Sequence, residues 1–173
     1  MLGVIEMAGS QGAGDRLMAA VARALRSEGV SLAGVVQENT EYDPSRPCHM
    51  DLLVLRCDDR VRISEDRGPG ARGCRLYAAG LAAAAGLVEA VLATEGESAP
   101  RLLIVNKFGK EEAEGRGFRP AIGRALAMGL PVLTSVGPRN AQAFADFAEG
   151  MANVLQAEEA AVLAWCRKVV ARG

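Results

Sequence analysis

The sequence predicts an α/β domain in three layers, with a mostly parallel sheet, helices on both of its faces and an inserted β-hairpin. Short apolar segments alternate with segments of helical period in both halves of the chain. Between these halves, two strand-like segments are separated only by Cys57-Asp58-Asp59, which is typical of an antiparallel hairpin. With 173 residues and no long linker, the chain is expected to form one domain.

The first half contains a strand, a glycine-rich turn, a helix and a second strand. We predict the strands over residues 4–7 and 32–37 and the helix over residues 16–27. Leu17 and Val21 fall on one face of this helix, at helical spacing. A connection of this kind joins parallel strands, so both strands are expected in one sheet.

The middle of the chain contains the hairpin, whose strands are predicted over residues 51–56 and 60–64. A loop rich in glycine and arginine follows over residues 65–75. After this loop, a helix carries its apolar stripe from Leu81 to Leu92.

The second half returns to the alternation of strands and helices. Residues 102–105 form a continuous apolar segment, as expected for a strand that is covered on both faces. A helix over residues 118–128 and a strand over residues 132–136 follow. Two further helices are predicted over residues 140–155 and 158–170.

The composition argues against several classes of protein. The formal net charge is −1, whereas a protein that binds nucleic acid needs a basic face, so no nucleic-acid partner is expected. No apolar run approaches the ~18 residues that span a membrane. Four cysteines without paired spacing, and no secretory segment, predict free thiols in a soluble, cytoplasmic protein. The sequence leaves a homo-oligomer open.

The turn between the first strand and the first helix carries a motif. From Gly9 to Gly14 its spacing matches the phosphate-binding Walker A pattern G-x-x-x-x-G-K-[ST]. Glycines let backbone N–H groups turn towards an anion, and the helix N-terminus adds a partial positive charge. The candidate ligand-binding residues of this loop are Gly9, Ser10, Gln11, Gly12, Ala13, Gly14 and Arg16.

Two positions of the motif depart from the pattern. Asp15 stands where the lysine that binds the β- and γ-phosphates belongs, and Arg16 stands where the magnesium-binding hydroxyl belongs. The loop is therefore a glycine turn that only starts a helix, a retained anion or nucleotide site, or the loop of an active triphosphatase. Because phosphoryl transfer depends on the lysine and the metal, the motif favours the first two.

Further basic residues are expected near this loop, because ligands of an open α/β sheet bind beyond the carboxyl ends of its strands. Arginine side chains present planar donors that suit oxyanions. The second group of candidate ligand-binding residues consists of Asn106, Lys107, Lys110 and Arg139 after predicted strands, with Arg67, Arg72 and Arg75 in the loop 65–75. That loop is either an oxyanion-binding segment or an exposed extension of the hairpin.

The run Val-Asn-Lys-Phe-Gly-Lys-Glu from Val105 to Glu111, followed by Gly117-Phe118-Arg119, resembles part of a small family of P-loop nucleoside triphosphatases. In those enzymes the strand ends in an acidic residue, and an I-G-K-x-E run and a phenylalanine follow. The chain as a whole is similar to an uncharacterised bacterial family that is related to these enzymes and associated with molybdenum-uptake genes. The similar pieces are Gly34-Val35-Val36-Gln37, Cys48 with Met50-Asp51-Leu52, Ile63-Ser64 with Gly73-Cys74-Arg75-Leu76, Asn106 to Glu111, and Gly117 to Pro120.

This resemblance implies the fold of those enzymes rather than their catalysis. Asn106 or Lys107 lies where an active triphosphatase places its acidic magnesium- and water-positioning residues, and Glu111 is the nearest remaining carboxylate. The resemblance implies an oxyanion such as molybdate or tungstate, or a nucleotide, as the ligand.

A zinc site has weaker support in the sequence. Cys48, His49 and Cys74 are one ligand short of a closed site, and no C-x-x-C run accompanies them. Whether they converge on a metal is left open. Cys166 falls on the apolar face of the last helix and is expected in the core.

Together these patterns predict a protein that binds a small anionic ligand, a nucleotide phosphate or another oxyanion, on a degenerate P-loop with little or no hydrolysis. Two alternatives stay open. One is an active, unorthodox nucleoside triphosphatase that uses Lys107 or Lys110 in place of the loop lysine. The other is an interaction protein whose ancestral site is empty.

Overall fold

A computed structural model describes residues 1–8, 12–40, 49–65 and 76–172 of the chain. Short 3₁₀ turns lie at Gly96–Ser98 and Pro138–Asn140. The strands and α-helices are, in chain order, β1 (Leu2–Glu6), α1 (Ala13–Ser27), β2 (Leu32–Thr40), β3 (His49–Val54), β4 (Arg60–Arg62), α2 (Ala78–Leu92), β5 (Leu102–Phe108), α3 (Lys110–Ala113), α4 (Arg119–Ala127), β6 (Val132–Val136), α5 (Ala141–Ala148), β7 (Ala152–Leu155) and α6 (Glu159–Val170).

The strands of the described residues form one seven-stranded sheet with the order β4-β3-β2-β5-β6-β1-β7. Five neighbouring strands, β2, β5, β6, β1 and β7, are parallel to one another. β3 and β4 pair antiparallel at one side of the sheet. The mostly parallel sheet and the inserted hairpin are thus confirmed. β1 and β2 share the sheet as expected, although β5 and β6 lie between them.

Apolar side chains cover both faces of the sheet, which confirms the three layers. On one face, α1 and α6 contribute Met18, Leu25 and Cys166, all fully buried. On the other face, α2, α4 and α5 contribute a second core that includes Val88 and Ile122. Each fully buried aliphatic side chain of this kind contributes about 1.5–3 kcal/mol. This packing fixes the axis of α1, and its N-terminus therefore lies at the carboxyl end of β1.

The pairing of β2 with β5 depends on a glycine. Gly34 lies opposite Ile104 in the parallel register and has a φ of 107°. A Cβ at this position would overlap the carbonyl oxygen of Ile104. Glycine alone satisfies both the left-handed backbone and the close approach of the two strands.

The helix predicted over residues 140–155 is wrong in its second half. The helix α5 ends at Ala148, and residues 152–155 form the strand β7 beside β1. Glu149 and Gly150 have φ values of 46° and 77°, which a continuing helix cannot accommodate. Sequence patterning missed the strand because it lies at the edge of the sheet, where Val154 is 65% exposed.

Three other boundaries differ in ways that affect the site. The helix α1 begins at Ala13, three residues before the predicted start. The strand β5 continues past residue 105 to Phe108, so Asn106 and Lys107 belong to the strand itself. The strand β2 likewise extends to Thr40. No helix in the described ranges is long and apolar enough to cross a membrane.

Candidate functional site

The N-terminus of α1 begins with a glycine in the left-handed region. Gly12 has a φ of 73°, and its carbonyl oxygen accepts a hydrogen bond of 3.0 Å from the backbone N–H of Arg16. No described side chain caps this helix end. The first-turn N–H groups of Ala13, Gly14 and Asp15 have no intrahelical partner, as at any helix N-terminus, and no described side chain accepts from them. Gly9, Ser10 and Gln11, also predicted to bind, lie outside the described residues.

The carboxylate of Asp15, at the lysine position of the motif, is held by two side-chain amides. Its Oδ1 accepts a hydrogen bond of 2.8 Å from Asn106 Nδ2, and its Oδ2 accepts one of 3.2 Å from Asn39 Nδ2. Both donors are neutral, so the negative charge of Asp15 is stabilised by dipoles rather than by a cation. A triphosphate in this loop would therefore meet a carboxylate where an active enzyme supplies an ammonium group.

Asn106 is itself fixed on every side. It is 4% exposed, and its Oδ1 accepts a hydrogen bond of 3.0 Å from the backbone N–H of Gln37. Its carbonyl oxygen accepts a hydrogen bond of 2.6 Å from Ser135 Oγ. The side chains of Gln37 and Asn39 are also bonded to each other, over 2.8 Å. These bonds connect α1, β2, β5 and β6, and they place a rigid, uncharged amide at the position expected to be acidic.

Three cationic side chains lie at the same carboxyl edge of the sheet. The guanidinium of Arg16 folds back towards Gly12, where an added Cβ would lie 3.1 Å from its Nη1. Lys107 lies near Gly137, where an added Cβ would be 4.0 Å from its Nζ. Arg139 is exposed in the 3₁₀ turn after β6. None of these three cations forms an ion pair within the described ranges, so each is free to meet an anion.

Two other charged groups, in the segment that follows β5, form ion pairs. Lys110 is paired with Glu114, at 3.6 Å, and is largely exposed. Glu111 accepts a hydrogen bond of 2.8 Å from Arg116 Nε. Glu111 and Glu114 together raise the pKa of Arg116. Since Glu111 is committed to this pair, it is poorly placed to serve as a catalytic base.

The structure brings some of the predicted site residues together and leaves others undescribed. The start of α1, Asn106, Lys107 and Arg139 share one edge of the sheet, whereas Lys110 points its charge at Glu114. Arg67, Arg72 and Arg75 lie outside the described residues. Sequence reasoning missed the role of Gln37 and Asn39; the continuous polar run Gln-Glu-Asn-Thr that follows the apolar segment of this strand is the signal that could have indicated it.

Only one of the three candidate zinc ligands lies among the described residues. His49 begins β3, while Cys48 and Cys74 lie outside those residues. Within the described ranges, no three histidine, cysteine, aspartate or glutamate side chains are grouped so that they could hold a metal. Cys166 is fully buried, as predicted, and burial raises the pKa of its thiol to about 12.

Comparisons with known proteins agree with this architecture. The molybdenum import ATP-binding protein ModC 2 of Bradyrhizobium diazoefficiens is 34% identical over 158 residues, which are 91% of this chain and 17% of that protein. The chain therefore spans less than a fifth of that relative's length. The solution structure of a human cancer-related nucleoside triphosphatase matches with a TM-score of 0.63 and 16% identity, over 99% of this chain and 95% of that chain.

The structural likeness shows the fold that the chain shares with that nucleoside triphosphatase. A family model described as protein of unknown function (DUF2478) matches residues 4–165, which is nearly the whole chain. The protein belongs to this family.

Proposed function

We propose that the chain binds the phosphate groups of a nucleotide, or another oxyanion, at the start of α1 and the adjoining carboxyl edge of the sheet. The observation that carries this proposal is the first turn of α1. No described side chain caps its N–H groups, its glycine start allows a ligand to approach the backbone closely, and the side chain of Arg16 folds back over it. A helix N-terminus of this kind favours an anion through both hydrogen bonds and the helix dipole.

Two cations that form no ion pair with any described residue support the same location. Lys107 lies near the end of β5 and Arg139 follows β6, at the edge where α1 begins, within a protein whose net charge is only −1. Asp15 opposes them, but its charge is already bonded to Asn106 and Asn39. We infer a site that holds an anion mainly through backbone N–H groups and arginine, without a lysine clamp.

Hydrolysis is expected to be slow or absent. Phosphoryl transfer on a P-loop uses the loop lysine, a metal-binding hydroxyl and an acidic residue near the metal. Here these positions carry Asp15, Arg16 and Asn106. The carboxylate of Asp15 is moreover oriented towards two neutral amides, Asn106 and Asn39, rather than towards a metal-binding hydroxyl.

Molybdate or tungstate is a second candidate ligand. It is favoured by the likeness to a molybdenum import protein, which covers 91% of this chain. The match covers only 17% of that relative, so its import and ATP binding need not reside in the matched segment. A tetrahedral oxyanion nevertheless makes the same demands on N–H groups and arginine as a phosphate group.

Thermal unfolding with phosphate, sulfate, molybdate, tungstate, ATP or GTP tests the proposal, in EDTA and in magnesium. We expect at least one anion to raise the midpoint without magnesium, with a stabilisation of about 2.7 kcal/mol at a hundredfold excess over Kd and a weaker effect at high salt. Stabilisation that requires magnesium, together with phosphate release, would instead establish an active triphosphatase. No shift with any anion would establish that the site is empty.

A further inference from the structure

The two edges of the sheet differ in how they are protected. An edge strand presents backbone N–H and C=O groups with which another chain can pair, and charged side chains on the strand oppose such pairing. The strand β4, at one edge, has the sequence Arg-Val-Arg. Its two arginines, Arg60 and Arg62, form ion pairs with Glu38 and Asp51. This edge is therefore protected against a further strand.

The strand β7, at the other edge, has no such protection. Its sequence is Ala-Asn-Val-Leu, without a charged residue or a proline. β7 pairs with β1 on one side, and no strand of the described residues lies on its other side. Within the part of the chain that the structure describes, the outer backbone groups of β7 are thus open to a partner strand.

Exposed apolar side chains accompany this open edge. Val154, in β7, is 65% exposed, and Met151, just before the strand, is 61% exposed. In the parallel register Val154 lies opposite Val4 of β1, which is buried in the core. The apolar surface of the sheet therefore continues from β1 onto β7 and reaches solvent there. An added strand could cover Val154 with an apolar or β-branched side chain of its own.

The segments before and after β7 carry only negative charge. Residues 140–166 include no lysine or arginine, although the net charge of the whole chain is only −1. The acidic residues of this range are all exposed, and none of them forms an ion pair with a described residue: Asp146 and Glu149 before β7, and Glu158 and Glu159 after it. A strand that complements this edge therefore has an apolar centre and basic residues at both ends.

The same charges oppose a second copy of the chain at this edge. Two copies related by a two-fold axis would pair β7 with β7 in antiparallel fashion, so that the start of each strand lies beside the end of the other. Glu149 would then approach Glu158 and Glu159 of the copy, and like charges facing each other disfavour the contact. The charge pattern thus favours a different, basic partner.

We propose that β7 binds an extended segment of another protein by strand addition, and that this segment has alternating apolar residues flanked by lysine or arginine. Backbone hydrogen bonds to β7 provide the affinity, as in other complexes formed by strand addition. Val154 and the flanking carboxylates provide the selection. This surface goes beyond the anion site proposed at α1 and requires no ligand there.

Three labelled peptides test this surface in the whole chain by fluorescence anisotropy. The first alternates valine and threonine between two lysines at each end, the second has glutamates in place of the lysines, and the third has prolines in place of the threonines. We expect the first to bind one molecule per chain with a Kd below about 1 mM. The second should bind at least about tenfold more weakly, with a difference that shrinks as salt rises. The third should not bind, because proline has no N–H to donate.

Two variants of the edge should weaken binding of the lysine-flanked peptide. Val154→Lys places a charge on the edge, as natural edge strands do, and should weaken binding at least about tenfold. Its control is Met128→Lys, which adds the same charge at another exposed apolar residue, after α4. Glu149→Gln with Glu158→Gln should weaken binding severalfold at low salt.

Amide hydrogen exchange locates the bound peptide. Exchange should slow in residues 151–156 and stay unchanged in β4, the protected edge. The proposal is overturned if the lysine-flanked peptide does not bind saturably, if the proline peptide binds as well, or if Val154→Lys and Met128→Lys act equally. It is also overturned if wild type sediments as a dimer that Val154→Lys converts to a monomer, since a second copy would then cover the edge. Binding of inorganic phosphate, measured separately, reports on the site at α1 alone.

Discussion

The side-chain amide of Asn106, on β5, donates a hydrogen bond of 2.8 Å to the carboxylate of Asp15, in the first turn of α1. In an active P-loop triphosphatase, a lysine stands at the position of Asp15 and an acidic residue stands at the strand end that Asn106 occupies here. Here an acid stands in place of the lysine and an amide in place of the acid. The two departures are therefore one bonded pair rather than two unrelated losses.

This bond predicts a measurable coupling between the two residues. A double-mutant cycle with Asp15→Ala and Asn106→Ala should give a coupling free energy of about 1.5–3 kcal/mol, because the acceptor is charged and the donor is buried. The free energy of unfolding in urea is the measurement.

The control cycle uses Gln142 and Asp146, which form an amide–carboxylate bond of the same 2.8 Å length on the exposed surface of α5. Its coupling should be no more than about 0.5 kcal/mol. Equal coupling in the two cycles would mean that the Asp15–Asn106 bond contributes no more than a surface contact.

Restoring the motif should strengthen triphosphate binding. In the double variant Asp15→Lys and Arg16→Thr, an ammonium group replaces the carboxylate and a hydroxyl becomes available to magnesium. We expect binding of magnesium-ATP to improve by about 1–3 kcal/mol, measured by calorimetry. Adding Asn106→Asp should preserve the contact between α1 and β5 as an ion pair.

The single variant Arg16→Thr is the control for this restoration, and it should weaken binding because it only removes a cation. If the folded double variant binds no better than wild type, then the loop is a structural turn and not a phosphate cradle.

Two glycines should respond oppositely to the same substitution. Gly34→Ala should destabilise the protein by at least about 3 kcal/mol, because its Cβ would overlap Ile104 and its φ is 107°. Gly86 lies within α2, where an added Cβ meets nothing within 4 Å. The substitution Gly86→Ala should therefore stabilise the protein by about 0.5–1 kcal/mol. Urea unfolding measures both, and equal effects would contradict the strand register.

The buried thiol of Cys166 predicts an alkaline loss of stability. Burial raises its pKa from the ordinary 9.0 to about 12. The native state therefore keeps its proton at pH values where the unfolded state loses it. The stabilisation is fully present below about pH 8.5, and falls by about 1.4 kcal/mol per pH unit as the pH rises towards 12.

Wild type and Cys166→Ala should thus diverge in their pH dependence, with the wild type losing more free energy of unfolding between pH 8 and pH 10. All other titrating groups are common to the two proteins. Parallel curves would mean that the thiol ionises equally in both states.

Much of the fold could be predicted because apolar periodicity follows burial. The strand β6 is covered on both faces, and its limits, Val132 and Val136, agree with the sequence prediction. The strand β7 could not be predicted, because an edge strand exposes Val154 and its pattern resembles the end of a helix. Two residues with left-handed backbone conformation, Glu149 and Gly150, separate β7 from the preceding helix α5. A glutamate in the sequence does not indicate that conformation.

For the candidate site, the sequence singles out Asp15 and Asn106 but not the bond between them. The sequence places Asn106 after an apolar strand and Asp15 in a glycine loop, yet 91 residues separate them. Their contact depends on β6 lying between β1 and β5, a strand order that no local pattern encodes. The hydrogen bond from Asn39 to Asp15 depends in turn on the extension of β2 to Thr40, beyond the apolar segment of that strand.

The start of α1 is expected to bind an anion with the help of Arg16 and Arg139. Calorimetric titration of phosphate, molybdate and ATP, without magnesium, measures this binding in wild type and in the double variant Arg16→Gln with Arg139→Gln. The matched control is Arg23→Gln, an exposed arginine two turns further along α1. We predict that wild type and the control bind at least one of these anions alike and that the double variant binds it at least about tenfold more weakly. Binding of none of them by folded wild type, or equal binding by the double variant, would contradict the claim.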